Sequence, residues 1–265
     1  MTYLVGVESR YTSEGLLGTG GQGRVFAVRD AGRGDVVLAL KERPAAATDE
    51  LREEFELLCR LQHPHIASVH DWLPASPIEA EEGEAECSAY TQDLVPGKDF
   101  YTALRDATEA QQDEAVSQVL RALAYLHALH VVHLDLKPDN VLVSLKDGEV
   151  DAHVLDFGIA RRLGTVPDMV MGSRSYVAPE RFRGDPVDPR ADLFAVGVMM
   201  AEVSSGEWVS LYAFPKLADA QLRRGFFKEL GVHPRWLEVV TTLTAFEPQQ
   251  RPASIFETTA LFEKG

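Results

Sequence analysis

Short β-branched and aromatic runs dominate the chain from Tyr11 to about Val95 and predict strands. Gly23 to Val28 and Asp35 to Lys41 flank the turn-prone Ala31-Gly32-Arg33-Gly34, which predicts a hairpin. One helix interrupts them. After an acidic start at Asp49 and Glu50, the residues Leu51, Phe55, Leu58 and Leu61 recur at helical steps, and the pattern stops before His63-Pro64. On that helix Leu51, Phe55 and Leu58 are expected to face inward, with Glu54 beside them and Glu53 and Glu56 towards solvent. Ala75 to Glu86, rich in Pro, Ala and Glu and without periodicity, has the character of a solvated loop between two strands.

After Gly97 the pattern turns helical. Val116, Val119, Leu120, Leu123, Leu126 and His130 step along one face of a long amphipathic helix that ends just before His133. His127 and His130 are assigned to this helix, in a core or interface role rather than as metal ligands. Ala191 to Val203 is apolar almost all round, which predicts a buried helix. Weaker helical patterns follow around Pro234 to Ala245 and Ala253 to Phe262. No internal repeat is visible, so solenoid architectures drop out.

Composition narrows the function classes. A chain of 265 residues with 45% hydrophobic content is long enough to bury a substantial core, as one two-lobed unit or two small domains. The net charge of −15 argues against non-specific binding to nucleic acid or to an anionic membrane, which both reward clustered Lys and Arg. Cys59 and Cys87 form no CxxC and have no His cluster nearby, so neither a disulfide framework nor a zinc site is expected, and a reducing cytoplasm fits best. Met1 to Gly15 lacks the pattern of a signal peptide, and the longest apolar run, Leu193 to Ala201, is too short to span a bilayer. These features predict a soluble protein.

The chemistry-bearing residues come in a fixed order. Gly18-Thr19-Gly20-Gly21-Gln22-Gly23 precedes Val25-Phe26-Ala27-Val28, a strand, whereas dinucleotide-binding glycines lead into a helix. Taken alone, this turn fits a phosphate-covering loop and a plain flexible hairpin equally well. Lys41 follows the apolar Val36-Val37-Leu38-Ala39-Leu40, where a charge needs a partner. Then come His133-Leu134-Asp135-Leu136-Lys137-Pro138-Asp139-Asn140, Asp156-Phe157-Gly158 and Ala178-Pro179-Glu180. With these motifs in this order the whole chain resembles a serine/threonine protein kinase, and its alanine- and glycine-rich style is similar to the bacterial eukaryotic-like (Hanks-type) kinases.

The resemblance implies an α+β, two-lobed fold: a small antiparallel sheet with one helix as N-lobe (about 1–95), a hinge (about 93–97) and a larger, mainly helical C-lobe (about 98–265), together one kinase domain over 1–265. It implies ATP with Mg²⁺, or Mn²⁺ in its place. Asp135 would accept or orient the proton of the acceptor hydroxyl, Lys137 would neutralise charge on the moving phosphoryl group, and Asn140 and Asp156 would hold the metal. Lys41 would touch the α- and β-phosphates, with Glu54 orienting it. Gly18, Gly20 and Gly23 would close over the phosphates. Leu17, Val25, Ala39 and Leu142 would sandwich the adenine, which the backbone of Asp93 and Val95 would hydrogen-bond. Gln92 takes the gatekeeper position, polar where the family's residue is usually apolar. Glu180 and Arg251 match a buried structural ion pair, and Asp192 matches a carboxylate that receives backbone N–H groups of the catalytic loop.

One departure stands out. Leu134 replaces the arginine that many regulated kinases place before the catalytic aspartate to meet a phosphorylated activation segment. The segment Asp156 to Glu180 offers Thr165, Ser173 and Ser175, with Ser173 matching a residue that lines the substrate site. The expectation is an enzyme less dependent on segment phosphorylation. Its implied partners are proteins with Ser or Thr acceptors, with no nucleic acid and no membrane. A pseudokinase-like nucleotide-binding scaffold is the alternative, disfavoured because Lys41, Asp135 and Asp156 are all present. A small-molecule phosphotransferase is remoter. The chain fits either a complete small kinase or the catalytic piece of a longer protein.

Overall fold

A computed structural model describes residues 10–21, 23–78, 86–166, 170–209 and 219–262. The chain divides into two compact units, one of residues 1–62 and 66–95, the other of 63–65 and 96–265.

The first unit is an antiparallel sheet with one helix. Strands β1 (Tyr11–Gly20), β2 (Gly23–Asp30), β3 (Val36–Pro44), β4 (Val69–Leu73) and β5 (Cys87–Asp93) are ordered β1-β2-β3-β5-β4. The predicted hairpin is β2 and β3, joined through a 3-10 turn at Ala31–Arg33. Because side chains alternate across a strand, Leu38 and Leu40 of β3 enter a core with Tyr11, Val28, Leu73 and Ala89, while Ala39 and Lys41 occupy the opposite face. Strand β3 runs on to Pro44, so Lys41 lies within the strand and not at its end. Helix α1 (Thr48–Leu58) buries Leu51, Glu54 and Leu58 and is shorter than its pattern, with Leu61 buried beyond its end.

Part of the predicted loop, residues 79–85, lies outside the described residues. Its flanks are not simply solvated. The Ser76 N–H donates to the Cys87 carbonyl at 2.7 Å, and Ile78 packs against the core.

In the second unit β6 (Lys98–Asp99), α2 (Phe100–Leu104) and α3 (Glu109–Ala128) come first. Thr108 and Gln111 form a reciprocal capping box that starts α3. The helix caps at Leu129, and His130, assigned to it from the pattern, lies outside with φ 58° because the chain reverses there into β7 (Val131–Val132). The helical pattern also hid a hairpin, β8 (Val141–Lys146) and β9 (Glu149–Val154), which makes a sheet ordered β6-β8-β9. Its turn, Asp147-Gly148, has both residues at positive φ, 54° and 86°.

Then β10 (Arg161–Arg162) pairs with β7, and α4 (Pro179–Phe182) leads to α5 (Arg190–Ser205), buried from Ala191 to Val203 as its composition predicts. Helices α6 (Ala220–Leu230), α7 (Pro234–Leu243) and α8 (Ile255–Phe262) complete the unit, α6 having escaped the sequence pattern. Among the described residues no helix is long and apolar enough to cross a membrane.

Candidate functional site

The candidate residues fall into two groups, one in each unit. In the first, the register sets Lys41 opposite Val25 on β2 and Tyr90 on β5, and Ala39 opposite Ala27 and Gln92. Lys41, only 6% exposed, donates from Nζ to both oxygens of Glu54 at 2.8 and 2.9 Å. The Tyr90 hydroxyl donates to Glu54 Oε1 at 3.0 Å. This pair is what a buried ammonium and a buried carboxylate require of each other. Tyr90 escaped the sequence reading because its role depends on strand register.

The glycine-rich turn joins two strands, as expected. Gly23, at φ 115°, approaches β3 so closely that a Cβ would lie 2.1 Å from the Glu42 carbonyl oxygen, so only glycine fits. A Cβ at Gly18 or Gly20 would meet nothing within 4 Å. Leu17 is exposed, Val25 half-buried and Ala39 buried. The Asp93 N–H donates to the Ser68 carbonyl at 2.9 Å and its carboxylate bonds His70 at 2.8 Å, while Gln92 and Val95 are half-buried.

In the second unit Asp135, 4% exposed, is held from several sides. Its Oδ1 accepts from the Ser173 N–H at 3.2 Å, and its Oδ2 accepts from Asn140 Nδ2 at 3.0 Å, with Lys137 Nζ at 3.4 Å. Asn140 Nδ2 also donates to the Asp135 carbonyl at 2.8 Å, which locks the loop on itself. Asp156 adopts a left-handed conformation, φ 65°, and its Oδ1 accepts from the Gly158 N–H at 3.4 Å. Leu142 lies on β8, half-buried. Asp135, Lys137 and Asn140 are thus brought together, and the Leu155 N–H, one residue before Asp156, donates to the Asn140 carbonyl at 2.9 Å.

Asp192 underlies this loop. It accepts from the backbone N–H groups of His133 and Leu134 at 2.9 and 2.8 Å, and His127 Nε2 lies 2.9 Å from it. Burial pushes its carboxyl upward, but the His127 bond, the nearby histidines and the Leu134 N–H outweigh that and hold it below the ordinary carboxylate range. His127 therefore has the structural role its helix position predicts. Leu134 is buried at φ 69°, and the His133 ring meets Phe157 edge-on at 4.9 Å.

Arg251 grips Glu180 with two bonds of 2.6 and 2.8 Å, the buried pair expected from their positions. Tyr176 donates to Glu202 at 2.8 Å; burial, reinforced by the Glu202 charge, pushes its phenol well above the ordinary range. Neither Tyr176 nor Glu202 had a signal in the sequence pattern.

Among the described residues no group of three or more His, Cys, Asp and Glu side chains is arranged to hold a metal. Asn140 and Asp156 supply oxygen donors of the kind Mg²⁺ takes when phosphate and water complete its shell.

The family described as "Protein kinase domain" matches residues 11–250. The chain is 34% identical over 216 residues to serine/threonine-protein kinase pkn3 of Myxococcus xanthus, an alignment covering 74% of this chain and 38% of that protein. It is 33% identical over 215 residues to serine/threonine-protein kinase PknA of Mycobacterium tuberculosis, covering 77% and 48%. With a probable serine/threonine-protein kinase PknB of Bifidobacterium longum it shares 31% identity over 212 residues, 74% and 30% of the two chains. The chain thus spans less than half the length of these curated relatives. With its motifs in family order and the match running through both units, the chain belongs to the protein kinase domain family.

Proposed function

We propose that this chain is a protein serine/threonine kinase domain, with an N-lobe and a C-lobe corresponding to the two units, that transfers the γ-phosphate of Mg-ATP to Ser or Thr hydroxyls of protein substrates. The observation that carries the reading is Asp135. It is buried, its two oxygens are fixed by Ser173, Asn140 and Lys137, and so it is preorganised to receive a proton.

In the transfer, the acceptor oxygen forms a bond to the γ-phosphorus, the bond from that phosphorus to the β,γ-bridging oxygen breaks, and the hydroxyl proton passes to Asp135 while ADP departs. Lys137, 3.4 Å from Asp135, offsets negative charge on the moving group. Lys41, held by Glu54, would take the α- and β-phosphates, and the backbone of the glycine-rich turn at Gly18, Gly20 and Gly23 would cover them. Leu17, Val25, Ala39 and Leu142 would flank the base, with Asp93 and Val95 offering it backbone groups. Asn140 and Asp156 would hold Mg²⁺, which neutralises phosphate charge when bound.

Leu134 carries no charge, which removes one route by which a phosphorylated segment is sensed in regulated kinases. Two free cysteines suit a reducing, cytoplasmic setting. The test is phosphoamino-acid analysis after incubation with labelled ATP and Mg²⁺. Phosphoserine and phosphothreonine are expected; a chain that binds ATP but transfers no label would be the scaffold of the alternative reading, and predominant phosphotyrosine would overturn the acceptor assignment.

A further inference from the structure

Tyr90 of β5 is 1% exposed, so its hydroxyl needs a partner, and it donates to one oxygen of Glu54. Strand register explains the meeting. Tyr90 stands opposite Lys41 on β3 and opposite Trp72 on β4, so these side chains share one face of the sheet. Helix α1 packs on that face. The Phe55 ring lies 5.8 Å from that of Tyr90 and 5.7 Å from that of Trp72, both tilted, and the neighbouring Glu54 reaches Lys41 and Tyr90 together. Phenylalanine would meet this packing equally well; what the hydroxyl adds is its bond to Glu54.

Glu54 Oε1 thus accepts from a cation at 2.8 Å and from a neutral hydroxyl at 3.0 Å. The two donors respond differently to a phosphate. An ammonium drawn towards a phosphate divides its attraction between two anions, and its hold on Glu54 slackens. A hydroxyl has no charge to divide. Tyr90 keeps a donor on Oε1 while Lys41 turns to the nucleotide, whereas a second cation at this position would offset the carboxylate charge that orients Lys41.

We propose that Tyr90 is a positioning residue for Lys41, acting through Glu54: its hydroxyl anchors the carboxylate, so the lysine meets the α- and β-phosphates already oriented. The inference rests on the reading of Lys41 as a phosphate-binding group.

The test compares ADP, which carries the two phosphates assigned to Lys41, with adenosine, which carries none, by calorimetry on the full chain with Mg²⁺. Wild type is expected to bind ADP more tightly. Tyr90→Phe keeps the ring and is expected to weaken ADP binding roughly tenfold, the loss of a hydrogen bond to a charged group, while adenosine binding stays near that of wild type. Melting curves verify that the variant is folded. Tyr90→Met, which also lacks the hydroxyl, takes its place should Tyr90→Phe fail to fold. Within Glu54→Gln, the change at Tyr90 should cost little further ADP affinity, because its effect passes through Glu54. A folded Tyr90→Phe variant that binds ADP as wild type does overturns the positioning role. Equal losses for ADP and adenosine, or additive losses in the double variant, overturn it too. Wild type that binds ADP no tighter than adenosine removes the phosphate role of Lys41 and this inference with it; wild type that prefers ADP leaves that role standing whatever Tyr90→Phe does.

Discussion

Lys41 and Glu54 are each nearly sealed from solvent, at 6% and 2% exposure, so their pairing bears on folding as well as on nucleotide chemistry. Lys41→Met removes the cation and leaves a buried carboxylate whose charge the Tyr90 hydroxyl cannot offset. Loss of one partner of such a pair costs about 3–5 kcal/mol, so the variant is expected to melt well below wild type as well as to lose transfer activity. Adding Glu54→Gln should recover part of that stability without recovering activity. Calorimetry of the single and double variants checks this, and a single variant that melts with wild type contradicts it. The residues of this pair were legible because a lysine ending an apolar run must find a carboxylate and the helix pattern set Glu54 beside its inward face. Tyr90 was not, because a tyrosine in a strand carries no mark of what lies across the sheet from it.

At the level of elements, the glycine-rich turn separates into two kinds of glycine. Gly23 is fixed by the approach of β3, whereas Gly18 has open space around it. Gly23→Ala is expected to destabilise by roughly 1–3 kcal/mol from its backbone conformation alone, with the clash against Glu42 added, while Gly18→Ala should melt near wild type. Similar melting of the two variants contradicts this account of the turn. A second element, α5, carries Glu202, whose carboxyl burial raises above its ordinary value. The folded chain therefore holds that proton more tightly than the unfolded chain, and the stability Glu202 contributes is full below about 4.3 and is lost as pH rises through the folded value. Glu202→Gln keeps an acceptor for the Val209 N–H and can bond Tyr176, so its stability should decline less than that of wild type over this rise in pH; parallel profiles contradict the assignment. Asp192 acts in the opposite direction, its stabilisation present above about 3.9 and lost as pH falls through its lowered folded value. The helices α1 and α3 were legible because each buries one face at helical spacing, and α5 because it is apolar almost all round and buried from Ala191 to Val203. The β8–β9 hairpin was legible too, in Asp147-Gly148 between alternating apolar residues, but lay within a stretch whose helices dominate the pattern. His130 was misplaced because periodicity continues past a helix end, where only the backbone turns.

For the whole molecule, the α+β architecture and the family follow from motifs in one order, matched over residues 11–250. The order of motifs was legible because phosphoryl transfer requires particular residue types at particular spacings, as in Asp135, Lys137 and Asn140 on one short loop. The central claim is that Asp135 takes the acceptor proton in a transfer from ATP. Its most direct test compares initial rates of labelled phosphate transfer by wild type and Asp135→Asn at saturating Mg-ATP, with nucleotide affinity and thermal melting measured on the same samples. The account predicts a rate lower by roughly 10²–10⁴-fold with ATP affinity nearly unchanged; equal rates from a folded, ATP-binding Asp135→Asn variant would contradict it.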